Sequence, residues 1–119
     1  MALTVYGIPT CDTVRKARAW LDRRGAAHGW VDIRATPPSE DRVARWVAAF
    51  GVKALQNTSG GSFRALGPKR ESWSDARWIA AFASDPMLLK RPIIERNGEP
   101  ALVGFNFPEA EIAARLWLV

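Results

Sequence analysis

The fold of this chain is decided by one stretch near its start, Thr4-Val5-Tyr6-Gly7-Ile8-Pro9-Thr10-Cys11-Asp12-Thr13-Val14-Arg15-Lys16. An apolar run of strand formers leads into a Gly/Pro turn, and the turn delivers the only cysteine of the chain to the start of a helix. Backbone N–H groups at a helix start lack intrahelical partners and carry a partial positive charge, which stabilises a thiolate. Because the thiolate is the attacking form of cysteine, the stretch predicts a nucleophilic Cys11.

The charged neighbours of Cys11 act on it in opposite directions. Arg15 lies one turn further along the same helix face, and Lys16 adds positive potential. Asp12 favours the protonated thiol, and we expect the two cations and the helix start to outweigh it. The alternative is a buried, inert cysteine, since free cysteine packs like a small hydrophobic residue. The polar residues around Cys11 favour the reactive interpretation.

The composition predicts one domain in a reducing compartment. With 119 residues and 48% apolar content, the chain is long enough to bury a core. The single cysteine, and an N-terminus that runs straight into a strand without signal-peptide features, predict a cytoplasmic protein. No apolar run approaches the ~20 residues needed to cross a bilayer. One Cys and one His cannot form a closed metal site, so no metal is predicted.

The net charge of +5 suits an anionic small molecule, a nucleic acid or an acidic protein surface. The basic residues are scattered along the chain, with no basic tail and none of the recognised nucleic-acid-binding motifs. We therefore expect most of them on a solvated surface and do not predict a nucleic-acid partner.

The first third of the chain has the pattern of a strand–helix–strand unit. Residues 3–6 form an apolar run, residues 12–24 are helical with one apolar face, and residues 30–33 form a second apolar run. Gly25 is placed to end the helix in a left-handed conformation. A connection of this length predicts two parallel strands joined by a right-handed crossover.

The middle of the chain is predicted to be helical. Ser39 is the expected N-cap of a helix whose apolar residues recur at helical spacing up to Phe50, and Gly51 ends it. Residues 57–62 are polar and glycine-rich and predict a loop. A further helix is expected from about Ser74 to Ala83.

The last third of the chain predicts a hairpin and a helix. Two strand-like runs within residues 91–104 flank Asn97-Gly98, and Pro100 places its strand at a sheet edge or at a strand start. A helix follows from Pro108 through Leu116, with Asn106 or Phe107 as its cap. The order βαβ, helical block, ββα predicts an α/β fold with a four-stranded mixed sheet. We expect residues 1–119 to form a single domain, with a helical subdomain inserted at about 37–90.

Three groups of residues resemble a known family: the run from Tyr6 to Ala17 with its Cys-Asp-Thr, the run Leu89-Lys90-Arg91-Pro92-Ile93, and Val103-Gly104-Phe105. With the order of elements, they resemble the arsenate reductase (ArsC) and Spx family over essentially the whole chain. Within it they are most similar to the YffB-like subgroup, proposed to be glutathione-dependent thiol reductases. The resemblance implies a thioredoxin-like fold.

The resemblance also implies site residues. It places a cis Arg91–Pro92 peptide bond opposite Cys11, with backbone groups able to bind a peptide-like thiol substrate. Arg91 is then the candidate partner for a glutathione carboxylate. The residues beside the thiol, and two more from the helical insertion, complete the candidate set: Thr10, Arg15, Lys16, Asn57 and Arg64.

Departures from the family pattern narrow the function. Arsenate reductases of the family bring three arginines to the oxyanion, and here only Arg91 has a counterpart, with Asn57 and Gly104 at the other two positions. We therefore do not expect arsenate reduction. Spx regulators usually carry a Cys-x-x-Cys switch, and Val14 occupies the second position here, so an intramolecular disulfide switch is impossible.

Two functions from different classes remain. The first is a monomeric thiol–disulfide oxidoreductase that uses glutathione as a co-substrate and holds no permanent cofactor. The second is an Spx-like regulatory protein that docks on RNA polymerase or another macromolecule. A glutathione-dependent turnover assay and a polymerase pull-down distinguish them.

Overall fold

The computed structural model describes residues 2–118 of the chain, which form two compact units. Residues 2–33 and 91–118 form the first, the sheet unit, and residues 34–90 form the second, the helical unit. The helical unit covers the segment that the sequence predicts as an insertion.

Residues 2–118 contain ten α-helices and β-strands. In chain order they are β1 (Leu3–Gly7), α1 (Asp12–Arg23), β2 (His28–Asp32), α2 (Glu40–Phe50), α3 (Val52–Leu55), α4 (Gly61–Ala65), α5 (Asp75–Ser84), β3 (Ile93–Arg96), β4 (Glu99–Val103) and α6 (Glu109–Arg115). Short 3-10 helices at Pro68–Ser72 and Pro86–Leu88 flank α5.

The sheet unit contains the predicted four-stranded mixed sheet. Its strand order is β2-β1-β3-β4, with β1 parallel to β2 and antiparallel to β3, and with β3 antiparallel to β4. Asn97 and Gly98 form the turn of the β3–β4 hairpin, and Pro100 lies on the edge strand β4, as predicted. The second strand begins two residues earlier than the apolar pattern predicts, because His28 already pairs with Leu3.

One face of the sheet packs against α1 and α6. Alternate residues of the strands point to that face, and helix positions one turn apart meet them. The rings of Trp20 and Phe105 meet edge to face, with centroids 5.8 Å apart. The buried residues of this core are Leu3, Val5, Trp20, Leu21, Ile94, Leu102, Ile112, Ala113 and Leu116.

Helix ends in both units follow the local sequence. The hydroxyl groups of Ser39 and Ser74 accept hydrogen bonds from backbone N–H groups in the first turns of α2 and α5, at 3.1 and 3.2 Å. Gly25 and Gly51 follow helices at φ of +67° and +83°, a region that favours glycine. These caps confirm the predicted starts and stops of α1, α2 and α5 to within one residue.

Two local predictions were wrong. Residues 57–62 were expected to be a loop throughout, but α4 begins at Gly61, and the burial of Phe63 outweighs the low helix propensity of the preceding glycines. The last helix has Pro108 as its N-cap residue instead of Asn106 or Phe107. Within residues 2–118, no helix has the length and apolar character that a membrane span requires.

The core of the sheet unit supports a stability prediction. Leu21 is completely buried on α1, so Leu21→Ala is expected to lower the free energy of unfolding by about 2–5 kcal/mol through the cavity it leaves. Urea denaturation followed by circular dichroism measures this as a lower midpoint at constant slope. The neighbouring exposed residue supplies the control, and Asp22→Ala should stay within about 0.5 kcal/mol of the parent. Equal stability of the two variants would contradict the assigned core.

Candidate functional site at Cys11

Cys11 occupies the junction between β1 and α1. It is the N-cap residue of α1, with extended backbone dihedrals of −85° and 121°. Its N–H donates to the carbonyl of Ile8 at 3.3 Å, and its own carbonyl accepts from the N–H of Arg15 at 3.0 Å. The side chain is partly exposed, and Thr10 before it is exposed. The structure thus places the only thiol at a helix start, within reach of solvent.

A close approach of the turn to the helix positions this thiol. A Cβ atom on Gly7 would lie 2.7 Å from Cγ2 of Val14, a separation that real side chains do not adopt. Val14 is buried in the first turn of α1, so residue 7 at the end of β1 packs this closely against the helix only because it is glycine. The Gly/Pro turn predicted from the sequence therefore also serves tight packing.

Arg15 and Lys16 are both exposed on α1, but they are used differently. The Arg15 guanidinium forms an ion pair with the carboxylate of Asp12 and donates a second hydrogen bond to the carbonyl of Pro9 at 3.3 Å. From the sequence, Arg15 was expected to direct its charge at the thiol. In the structure its guanidinium binds residues on both sides of Cys11 along the chain.

The Arg91–Pro92 segment lies at the same end of the sheet as Cys11. The peptide bond between the two residues is cis, which confirms the expectation drawn from the family resemblance. Tyr6 near the end of β1 pairs with Ile93 at the start of β3. The residues just before β3 and those just after β1 therefore lie at the same end of the sheet. Pro92 is buried and Arg91 is half-buried.

The backbone around Gly104 explains one departure from the three-arginine pattern. Gly104 follows β4, is buried, and has a φ of +75°. Its N–H donates to the carbonyl of Pro92 at 2.8 Å, so Gly104 lies at the same end of the sheet as the Arg91–Pro92 segment. An arginine there would be strained, because side chains disfavour this left-handed region.

The two candidates from the helical unit stabilise a loop. The amide group of Asn57 donates to the carbonyl of Met87 at 3.4 Å and accepts from the hydroxyl of Ser59 at 3.2 Å. Arg64 donates to the carbonyl of Ser59 at 2.6 Å. Both residues lie outside the sheet unit, and these hydrogen bonds hold the shape of their own unit.

Sequence reasoning missed a buried polar pair on the central strands. The side chain of Glu95 on β3 is 2% exposed, and its Oε1 accepts a hydrogen bond from the hydroxyl of Tyr6 at 3.2 Å. Alternation along β3 puts Glu95 on the same sheet face as Ile93, which is also buried. That alternation was the available signal, since a residue two positions from a buried isoleucine shares its face.

His28 lies away from Cys11. It is the first residue of β2 and pairs with Leu3, at the opposite end of the sheet from the thiol. Its Nδ1 is 3.0 Å from the carbonyl of Ala26, and its Nε2 is 3.4 Å from Nε of Arg18. Among residues 2–118, no group of three or more His, Cys, Asp or Glu side chains is arranged to hold a metal ion.

The helical unit has a cleft of its own, with a volume of about 760 Å³. Phe63 and Trp78 stack in its wall with centroids 6.3 Å apart, and the Arg70 guanidinium covers the Phe63 ring at 4.2 Å. Half-buried Phe50 and Trp73 add aromatic surface, and exposed Lys53 lies at the rim. Aromatic side chains form part of the lining of many binding sites, and this cleft adds four charged residues to them, Lys53, Arg70, Glu71 and Asp75.

Comparison with known proteins agrees with this arrangement. The model of the ArsC family matches residues 6–114. The chain belongs to the ArsC family. The YffB protein (PA3664), whose structure is solved, is 35% identical and superposes with a TM-score of 0.82 over 94% of this chain and 97% of that one. The sheet, the cysteine-bearing turn and the helices are therefore those of the thioredoxin-like ArsC fold.

Two bacterial relatives are similar to this chain over most of their length. The protein YusI of Bacillus subtilis is 36% identical over 115 residues, which cover 93% of this chain and 97% of the relative. The global transcriptional regulator Spx of Streptococcus mutans is 32% identical over 116 residues, which cover 96% of this chain and 82% of the relative. One protein that is similar over most of this chain is thus named as a transcriptional regulator.

The Tyr6–Glu95 pair generates a prediction for the site's framework. Tyr6→Phe removes the hydroxyl group that donates to a buried carboxyl group, and we expect the free energy of unfolding to fall by about 1–3 kcal/mol. Chemical denaturation measures the change. Ser72→Ala removes an exposed hydroxyl group that donates to the Lys69 carbonyl at 2.9 Å, and the loss of this hydrogen bond in contact with water should cost less. An unchanged stability of Tyr6→Phe would show that the Tyr6 hydroxyl contributes nothing to the pairing of β1 with β3.

Proposed function

We propose that this protein is a glutathione-dependent thiol–disulfide oxidoreductase that acts through Cys11. The observation that carries the proposal is the position of the thiol, partly exposed at the N-cap of α1 and at the same end of the sheet as the cis Arg91–Pro92 segment. Helix starts favour thiolates, because the free N–H groups and the helix dipole stabilise negative charge. Membership of the ArsC family supports redox chemistry of this thiol.

The reaction follows from having one thiol. The Cys11 thiolate attacks the glutathionyl sulfur of a mixed disulfide, a bond forms between Cys11 and glutathione, and the substrate leaves as a thiolate that takes a proton from water. Since Cys11 is the only cysteine, a second glutathione thiolate from solution must attack the bound glutathione sulfur. That step yields oxidised glutathione and restores the Cys11 thiolate, so bonds and electrons balance.

Electrostatics support glutathione as the co-substrate. Glutathione carries two carboxylates and one ammonium group at neutral pH, and the chain carries a net charge of +5. Arg91 would bind one carboxylate, because a guanidinium presents paired donors to the two oxygens. Thr10 and Lys16 are exposed on either side of the thiol and would border the bound tripeptide. Because the reaction needs abundant reduced thiol, we propose that the protein acts in the cytoplasm. We also propose that it acts as a monomer.

The proposed role of Arg91 gives a test. We expect Arg91→Ala to reduce the rate of Cys11 glutathionylation by oxidised glutathione roughly ten- to a hundredfold, the value of one charge-assisted hydrogen bond. Mass spectrometry of the intact protein during the reaction measures the rate, and Cys11→Ser gives the background. Arg23→Ala removes an equal charge from the exposed last turn of α1 and should react like the parent. If Arg91→Ala also reacts like the parent, Arg91 does not bind glutathione.

Arsenate is a poor substrate for the proposed site. Of the three arginines expected for the oxyanion, only Arg91 is present, and the left-handed backbone of Gly104 disfavours any side chain there. We expect negligible arsenate reduction with glutathione and glutaredoxin supplied. An arsenate reductase assayed in parallel sets the scale, and turnover comparable to it would show that other groups stabilise the oxyanion.

A binding function is the second candidate, and the cleft in the helical unit favours it. Its aromatic wall and charged rim are features of protein-binding surfaces, and the similarity to Spx suggests RNA polymerase as a partner. A pull-down with purified polymerase tests this. Loss of capture in Lys53→Glu, compared with Lys69→Glu outside the cleft, would assign binding to this surface. Glutathione turnover without polymerase capture would leave the oxidoreductase as the function.

A further inference from the structure

We infer that the Asp12–Arg15 ion pair sets the charge selectivity of Cys11 toward disulfides. The inference rests on the thiol–disulfide exchange proposed above and adds a specificity-determining pair to it. The Arg15 guanidinium binds the Asp12 carboxylate on one side of Cys11 along the chain and the Pro9 carbonyl on the other. The charges closest to the thiol in sequence are therefore held together as a pair.

This pairing changes what an approaching disulfide encounters. The Arg15 guanidinium, four residues from Cys11, is bound to the Asp12 carboxylate and to the Pro9 carbonyl, whereas Asp12 directly follows Cys11 in the chain. A disulfide with a carboxylate near its sulfur meets the Asp12 carboxylate one residue from Cys11. A disulfide with an ammonium group meets an attractive charge at the same place. The pair therefore disfavours a carboxylate close to the attacked sulfur relative to an ammonium group, and the attraction for glutathione proposed above rests on Arg91 and on the net charge of the chain.

The pair is also able to exchange partners. The side chains of Arg15 and Asp12 are 58% and 82% exposed, and ion pairs in water at that exposure are weak and screened by salt. An anionic ligand that binds the same N–H groups of Arg15 must displace Asp12. Asp12 thus competes with the carboxylate of the substrate, and removing it leaves a free cation beside the thiol.

The test compares three small disulfides that differ in charge. Bis(carboxymethyl) disulfide is anionic, bis(2-hydroxyethyl) disulfide is neutral, and cystamine is cationic. In each reaction the Cys11 thiolate forms a mixed disulfide with one half, the original S–S bond breaks, and the other half leaves as a thiol after protonation by water. Mass spectrometry of the single-turnover adduct gives three rates at low ionic strength. Dividing each rate by that of the neutral disulfide removes any change in the reactivity of the thiol itself.

Removing Asp12 should reverse the selectivity. In Asp12→Asn we expect the anionic-to-neutral ratio to rise about three- to tenfold and the cationic-to-neutral ratio to fall similarly, as one unit charge at short range in water predicts. In Arg15→Gln the unpaired carboxylate should shift both ratios the other way. The double variant lacks both charges, so its anionic-to-neutral ratio should lie above that of the parent and below that of Asp12→Asn, and about 1 M salt should abolish the differences.

A matched control uses the same change on the same helix. Asp22 is exposed ten residues further along α1, about 15 Å away by the helical rise, so Asp22→Asn should leave both ratios unchanged. Circular dichroism confirms that each variant keeps its helices. If Asp12→Asn alters all three rates by one factor, Asp12 acts only on the thiol and the inference is overturned.

The outcome is separable from that of the proposed function. Exchange with these disulfides is a single turnover and needs no glutathione. Ratios that shift as expected, without glutathione turnover, would support the selectivity and overturn the oxidoreductase. Turnover with unchanged ratios would do the reverse. A Cys11 that reacts with none of the three disulfides would overturn both.

Discussion

Pairing of β1 on both of its edges is the constraint on which the site depends. Strand β1 is hydrogen-bonded in parallel to β2 and antiparallel to β3, so its position in the sheet is determined from two sides. The chain leaves this strand through a turn of only four residues before α1 begins. The thiol at the end of that turn therefore has little freedom to move relative to the start of β3. A reactive group on a rigid strand and helix is held more precisely than one on a loop.

The features that sequence predicted best are those set by local chemistry. Ser39 and Ser74 cap their helices because a hydroxyl can satisfy a free N–H, and Asn97-Gly98 turns because its residues tolerate positive φ. The apolar spacing of α1 identified its buried face, including Val14 and Leu21. Cys11 was found for the same reason, since its place in the chain alone indicates a helix start.

What the sequence could not show depends on contacts between distant residues or on a choice between partners. Alternation along β3 indicates the face on which Glu95 lies, but only the register of β1 against β3 shows that Glu95 binds Tyr6. Arg15 is four residues from Cys11 and three from Asp12, and helical spacing does not decide which of the two its side chain binds. The helical turn at Gly61 was missed because the burial of Phe63 is a tertiary effect.

A single thiol places particular demands on its surroundings. A protein with two cysteines can resolve a mixed disulfide internally, whereas in the reaction proposed here the resolving thiol comes from solution, so two molecules would reach the same sulfur in succession. Each glutathione molecule that binds or leaves would bring its charged groups close to the start of α1. Without Asp12 as a partner, the Arg15 guanidinium would attract anionic thiols and would also retain their oxidised products. The weak ion pair with Asp12 gives the guanidinium a partner whenever a ligand leaves. Exchange of Arg15 between Asp12 and a substrate carboxylate would thus suit the proposed cycle, in which glutathione binds and leaves again.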